Sequence, residues 1–148
     1  MKIIKQAQSK WIKSLKNGIG TIALGSGSYQ GSYTYNSRFY EEGGTNPEEL
    51  LAAAHASCFT MELVSVLEKN LFVPEFLETH AYVYMEKLNN QIGISKIELV
   101  TRVKDEFIGE AEFIKLAEIA KNCIISRALS VKIELKALVI KQEEPWRL

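Results

Sequence analysis

The sequence holds only two cysteines, too few for disulfides to act as the scaffold of a 148-residue chain. It also lacks any surplus of charge. Eighteen Lys and Arg are matched by 18 Asp and Glu, mixed along the chain, and no basic run stands out to follow a phosphate backbone. Nucleic acid is therefore not an expected partner. No apolar stretch reads as long enough to span a bilayer, so no membrane is expected either. The start, Met1-Lys2-Ile3-Ile4-Lys5-Gln6, turns polar at once and has neither the apolar core nor the small-residue cleavage site of a secretory leader. The expectation is a cytoplasmic protein, and in a reducing compartment two thiols are either buried filler or chemistry.

What is present is core material. Hydrophobic residues make up 47% of the chain, which excludes disorder from low hydrophobicity. The length suits one domain, residues 1–148, and no repeat or linker breaks it.

Alternating runs at Gln6–Ile12 and Gly20–Leu24 predict two strands, with Lys16-Asn17-Gly18 as the turn between them. Gly25–Ser28 marks another turn and Gly31–Tyr35 a third strand. A loop is expected from Asn36 to Thr45. Asn46-Pro47-Glu48-Glu49 then opens a helix: Asn46 as N-cap, Pro47 at the first helical position, and two carboxylates at the positive end of the dipole. The segment Leu50–Lys69 is apolar on most faces, which places it centrally or between subunits. Pro74 ends that region. Thr79–Met85 and Ile92–Val103 predict a hairpin joined through Asn89-Asn90-Gln91. Glu110–Lys121 has helical spacing, with Phe113, Leu116, Ala117 and Ala120 on one face. A short helix follows at Ile124–Leu129, then a strand at Val131–Ala137. Lys141–Leu148 reads as a charged, loose tail.

Cys58 lies within the apolar helix and Cys123 at the end of a later one. A free cysteine is often a small buried hydrophobe, and that reading stays open for both. A chemical role requires a thiolate, and a thiolate on an apolar helix requires a cation. Arg38, in the loop before the helix, is the candidate: it keeps its charge and carries its donors in a fixed fork. Glu48 could orient it, or could simply serve the helix dipole. Glu48 and Cys58 stand ten residues apart (58 minus 48), about 15 Å of helical rise, so they cannot touch on one straight helix. A bend, a folded loop or a second subunit would have to close that distance. His55, three residues before Cys58, shares its helix face and reads as a packing residue; a metal site there lacks further ligands at useful spacing. His80 is expected at the surface of a strand. Phe39, Phe59 and Met61 could line an apolar pocket, with core packing as the plainer reading.

The run Gly43-Gly44-Thr45-Asn46-Pro47-Glu48-Glu49-Leu50-Leu51-Ala52-Ala53-Ala54-His55-Ala56-Ser57-Cys58-Phe59 resembles the signature of the OsmC/Ohr family of thiol-dependent peroxidases. Ala120-Lys121-Asn122-Cys123-Ile124-Ile125-Ser126-Arg127-Ala128-Leu129 resembles its second motif, and the similarity covers almost the whole chain. The spacing of Asn36-Ser37-Arg38-Phe39 before Thr45-Asn46-Pro47 is similar to the OsmC branch. The resemblance implies an α+β fold in which antiparallel sheets flank long central helices in an intertwined homodimer, with active sites at the subunit interface. It implies that Cys58 is the peroxidatic cysteine, Cys123 the resolving one, and Arg38 and Glu48 the residues that activate the thiolate. It further implies a hydroperoxide substrate, a dithiol reductant such as a lipoylated protein, and no cofactor or metal. The competing reading is a non-catalytic stress-associated or ligand-binding dimer on the same fold. One position departs from the pattern: Ile124 stands where the second motif usually has proline directly after its cysteine.

Overall fold

The computed structural model describes residues 1–40, 42–142 and 145. The expected loose tail therefore lies in large part outside the described residues. Two compact units divide the chain, Met1–Leu50 and Leu51–Leu148.

The first unit opens with an antiparallel sheet of three strands in sequence order: β1 (Ala7–Ile12), β2 (Ile19–Leu24) and β3 (Gln30–Tyr33). The β1–β2 register runs from Ala7 opposite Leu24 to Ile12 opposite Ile19, which leaves Lys13–Gly18 as the connection. Trp11 and Tyr33 lean ring to ring at 5.3 Å, and Gly20 lies beneath both, where a Cβ would stand 2.2 Å from the Tyr33 ring. The expected third strand ends early, because Tyr35 enters a short helix, α1 (Tyr35–Phe39), inside the stretch expected to be a loop. The cause is a reciprocal cap. The Thr34 hydroxyl accepts from the Ser37 backbone N–H at 3.0 Å, and the Ser37 hydroxyl accepts from the Thr34 N–H at 2.8 Å. No hydrophobic residue of this unit is fully buried among those described.

The long helix α2 (Pro47–Lys69) starts where expected. The Asn46 side chain caps it by accepting from the Glu49 N–H at 2.7 Å. From Leu51 onward the second unit is built on a three-stranded sheet, β4 (Phe76–Leu88), β5 (Gln91–Lys104) and β6 (Lys132–Ile140), with β5 in the middle. The β4–β5 turn is Asn89-Asn90, both at positive φ (48° and 67°), the type I′ geometry whose twist matches a hairpin. A bulge at Tyr84/Met85 accommodates Ser95. Between β5 and β6 lie α3 (Glu110–Ala120) and α4 (Ile124–Ala128).

This sheet departs from the expected all-antiparallel arrangement: β6 pairs parallel to β5, from Lys96 opposite Lys132 to Lys104 opposite Ile140. A strand that returns through a helical crossover arrives in the same direction as the one it left. Ile97, Leu99, Thr101 and Val103 lie on one buried face of β5. The core joins that face to Phe59, Leu63 and Leu67 of α2 and to Phe113, Leu116, Ala117 and Ala120 of α3. The opposite face carries charge in pairs: Arg102 with Glu78, Lys136 with Glu98, and Lys96 and Lys132 with Glu134.

A further expectation fails at α2. Its 23 residues include a window of mean hydropathy 1.6, long and apolar enough to cross a bilayer on length and composition. Its leucines, alanines and methionine surround the helix rather than forming a stripe, so only 28% of that window is buried within the chain.

Candidate functional site

The chemistry-bearing residues fall into two constellations, one in each unit. In the first, Ser37 is the anchor. Its hydroxyl donates to the Thr45 carbonyl at 2.8 Å, while the Thr45 N–H donates to the Ser32 carbonyl at 2.9 Å. Gly44, at φ +113°, makes the turn that brings Thr45 back beside β3; a Cβ there would sit 3.0 Å from the Ser32 carbonyl oxygen. This stitching fixes α1 against the start of α2 and sets Arg38 beside Glu48. Arg38 donates through Nε to both carboxylate oxygens at 3.1 Å and through Nη2 to Oε1 at 2.5 Å. The contact uses two of the three guanidinium nitrogens in a fork, which fixes orientation as well as distance. The hydrogen bond to Glu48, helped by the carboxylate's charge, pushes the Arg38 pKa further up, so the group is a permanent cation. The predicted pairing of these two residues is thus present, and the Arg38 side chain, 42% exposed, is open to a further partner.

The second constellation gathers around α4. Cys123 is buried and occupies the N-cap position of that helix, and Cys58 is half-buried on α2. Both are free thiols. The two thiols lie close enough for Cys123 to act on the ionisation of Cys58, and the Ile125 backbone N–H donates to Cys58 Sγ at 3.5 Å. Burial pushes the Cys58 thiol up, and Cys123 adds to this, while the N–H groups of Ile125 and Ile124 pull it down; the balance is upward. Cys58 in this setting is therefore a thiol that needs a cation to become a nucleophile.

His55 lies one helical turn before Cys58 and is completely buried. The packing role expected of it holds, but its polar partner could not be read from spacing: Nε2 lies 2.8 Å from the hydroxyl of Ser126, on α4. That hydroxyl in turn lies 3.3 Å from Cys123 Sγ. Sequence reasoning passed over Ser126 as a functional residue, although it belongs to the quoted second motif, because nothing local links positions 55 and 126. Burial pushes the His55 imidazole down, which favours its neutral form.

Other expectations meet mixed outcomes. Phe59 is core, as the plainer reading has it, but Met61 is 76% exposed and is not part of the core. Phe39 lies under the Arg38 guanidinium at 5.2 Å and beside Tyr35. His80 is half-buried rather than at the surface, with Nε2 3.3 Å from Glu78 Oε1, because Glu78 gathers both it and Arg102. Among the described residues, no three of the His, Cys, Asp and Glu side chains gather where they could hold a metal ion. A hollow of about 590 Å³ lined by Val73, Lys104, Phe107 and Ile140 includes neither cysteine.

A model of the OsmC-like protein family matches residues 40–136. The chain is 39% identical over 137 residues to the peroxiredoxin OsmC of Escherichia coli, covering 91% of this chain and 96% of that protein. An OsmC-like protein of unknown function from Vibrio cholerae superposes with a TM-score of 0.75 at 16% identity, covering 92% of this chain and 99% of the other. An organic hydroperoxide resistance protein from Elizabethkingia anophelis gives 0.70 at 23% identity, covering 96% of this chain and all of the other.

Proposed function

The chain belongs to the OsmC family, and on that premise we propose that it is a thiol-dependent peroxidase that reduces organic hydroperoxides by a two-cysteine mechanism. The observation that carries the proposal is the adjacency of the Cys58 and Cys123 thiols, with a backbone N–H directed at the Cys58 sulfur. Arg38, held in its fork by Glu48, supplies the cation that Cys58 needs to ionise. The Cys58 thiolate attacks the distal peroxide oxygen. The O–O bond breaks, and the leaving alkoxide takes a proton and departs as an alcohol. Cys58 is left as a sulfenic acid. Cys123 attacks that sulfur, an S–S bond forms, and hydroxide leaves as water once protonated. A dithiol, of which a lipoylated protein is one form, restores both thiols by exchange.

In this reading residues 1–148 act as one domain within a cytoplasmic homodimer. Two features support a dimer: the first unit buries no hydrophobic residue fully, and α2 leaves much of its apolar surface uncovered within the chain. In this reading the active sites lie at the subunit interface, where the Arg38–Glu48 pair of one subunit serves Cys58 of the other.

The test is a thiol count by intact mass on reduced protein, before and after one equivalent of cumene hydroperoxide. Loss of both thiols with a mass decrease of about two hydrogens is expected for an intramolecular disulfide. Survival of both thiols would replace the proposal with the non-catalytic reading.

A further inference from the structure

We propose that Ser126 and His55 form a hydrogen-bonded arm that positions the Cys123 sulfur for its attack on oxidised Cys58. The inference rests on the two-cysteine reading above and adds two residues to its second step. Three groups meet in a chain of contacts: His55 Nε2 at 2.8 Å from Ser126 Oγ, and Ser126 Oγ at 3.3 Å from Cys123 Sγ. His55 and Cys123 are buried, at 0% and 1% exposure, and Ser126 is at 9%. Hydrogen bonds withdrawn from water in this way are electrostatically stronger than exposed ones.

The direction of the arm follows from the other nitrogen of the ring. His55 Nδ1 is buried with no hydrogen-bond partner. A neutral imidazole carries its proton on one nitrogen only. A proton on Nδ1 would leave a buried N–H donor without an acceptor, which is rarer and costlier than an unpaired acceptor. The proton is therefore assigned to Nε2, which donates to Ser126 Oγ. The Ser126 hydroxyl keeps its own hydrogen for donation to Cys123 Sγ, the direction assigned to that 3.3 Å contact. A sulfur that accepts a hydrogen bond is favoured as an anion. That bond also occupies the Ser126 side of the sulfur, leaving the Cys58 side for bond formation.

The step balances without a further reagent. Cys123 gives its thiol proton to the hydroxide that leaves Cys58, so Cys58 sulfenic acid and Cys123 thiol yield a disulfide and one water. Ser126 and His55 gain and lose no proton overall; they act through Cys123 and are positioning residues.

The experiment separates the two steps in single-turnover reactions with cumene hydroperoxide. Peroxide loss reports attack by Cys58, dimedone trapping reports the sulfenic acid, and intact mass reports the disulfide. Disulfide formation is measured first in the parent protein; its absence would overturn the two-cysteine reading and this inference with it. Where it is present, Ser126→Ala is expected to slow the disulfide step about tenfold, as loss of one hydrogen bond to a charged group implies, and to accumulate the dimedone adduct. Ser126→Thr, which keeps the hydroxyl, restores the rate. His55→Leu and His55→Gln form an independent pair, the first slow and the second near the parent, since glutamine retains an N–H donor. A parental disulfide rate in both Ser126→Ala and His55→Leu would overturn the arm, as would equal slowing of attack and resolution, which marks general damage to the fold.

Discussion

Replacing Ile124 with proline should move stability and reactivity in opposite directions. Ile124 is the first residue of α4, a position whose backbone N–H has no intrahelical partner, so proline removes no bond of the helix. The preceding residue must be extended to tolerate proline, and Cys123 already is, at φ −62° and ψ 167°. The Ile124 side chain is 67% exposed, so little packing is lost. Restricting the unfolded chain at a compatible site is worth about 0.4–1 kcal/mol. For a chain of this length that is roughly 1–4 °C in Tm. The same N–H, however, is one of the two that pull the Cys58 thiol down, and the weaker of them. Proline deletes it, so the Cys58 pKa rises further and a smaller fraction ionises at pH 7. A slower attack is expected, by less than the loss of a full hydrogen bond to a charged group would give. Thermal unfolding by circular dichroism and single-turnover peroxide consumption at pH 7 measure the two effects on one preparation. A variant that melts below the parent would refute the backbone argument, and one that consumes peroxide at least as fast would refute the assignment of the Ile124 N–H to Cys58.

Arg38→Lys should reduce the single-turnover attack rate at least tenfold while leaving Tm within about 2 °C, because an ammonium cannot reproduce the Nε and Nη2 fork on Glu48 but keeps the charge beside it, and a pair with one partner exposed adds little stability; an unchanged rate would remove Arg38 from the site. Gly44→Ala should cost about 1–3 kcal/mol, measured by denaturant unfolding, since φ +113° strains any side chain and its Cβ would crowd the Ser32 carbonyl; a stability equal to the parent would show that the turn re-forms without glycine. Hydrogen bonds from Lys132 and Lys96 lower the Glu134 carboxyl from 4.5 to about 2. A depressed carboxyl contributes stability that is fully present above its unfolded value and is lost as pH falls through the folded one. Glu134→Gln should therefore flatten the fall in Tm between about pH 4.5 and 2, an effect that shrinks in 1 M salt; parallel curves would refute it.

Where local chemistry decides structure, the sequence was a sound guide. Asn46 caps α2 through its own side chain, and Asn89 and Asn90 adopt the positive φ that makes a tight hairpin. Both signals operate within four residues. The short helix α1 escaped notice because its cap uses Ser37 at the third helical position, where a glutamate or glutamine is the usual marker. The parallel return of β6 was also missed, although a stretch containing two helices separates it from β5 and makes a direct hairpin impossible. At the site, residue types and the resemblance pointed to Arg38 with Glu48, and to Cys58 with Cys123. Ser126 lay beyond reach because its importance comes from a contact with His55, 71 residues away, that only the packing of α4 against α2 creates.

The parallel placement of β6 also orders events in time. The β4–β5 hairpin has a two-residue turn and can pair as soon as Lys104 is made, whereas the third strand emerges only after α3 and α4 have been synthesised. A parallel pairing across so long a stretch of chain is non-local, and such contacts form late. Cys123 is carried in that same late segment, so Cys58 leaves the ribosome well before its partner thiol exists. A nascent chain in this interval has no intramolecular route to a disulfide, and without a second subunit its Cys58 has no cation to ionise it, so the chemistry waits for assembly. Ribosome-stalled chains ending before residue 123 should therefore keep Cys58 as a thiol under brief peroxide, whereas released, assembled chains should collect disulfide; disulfide-free oxidation of the stalled chains would refute the need for a second subunit.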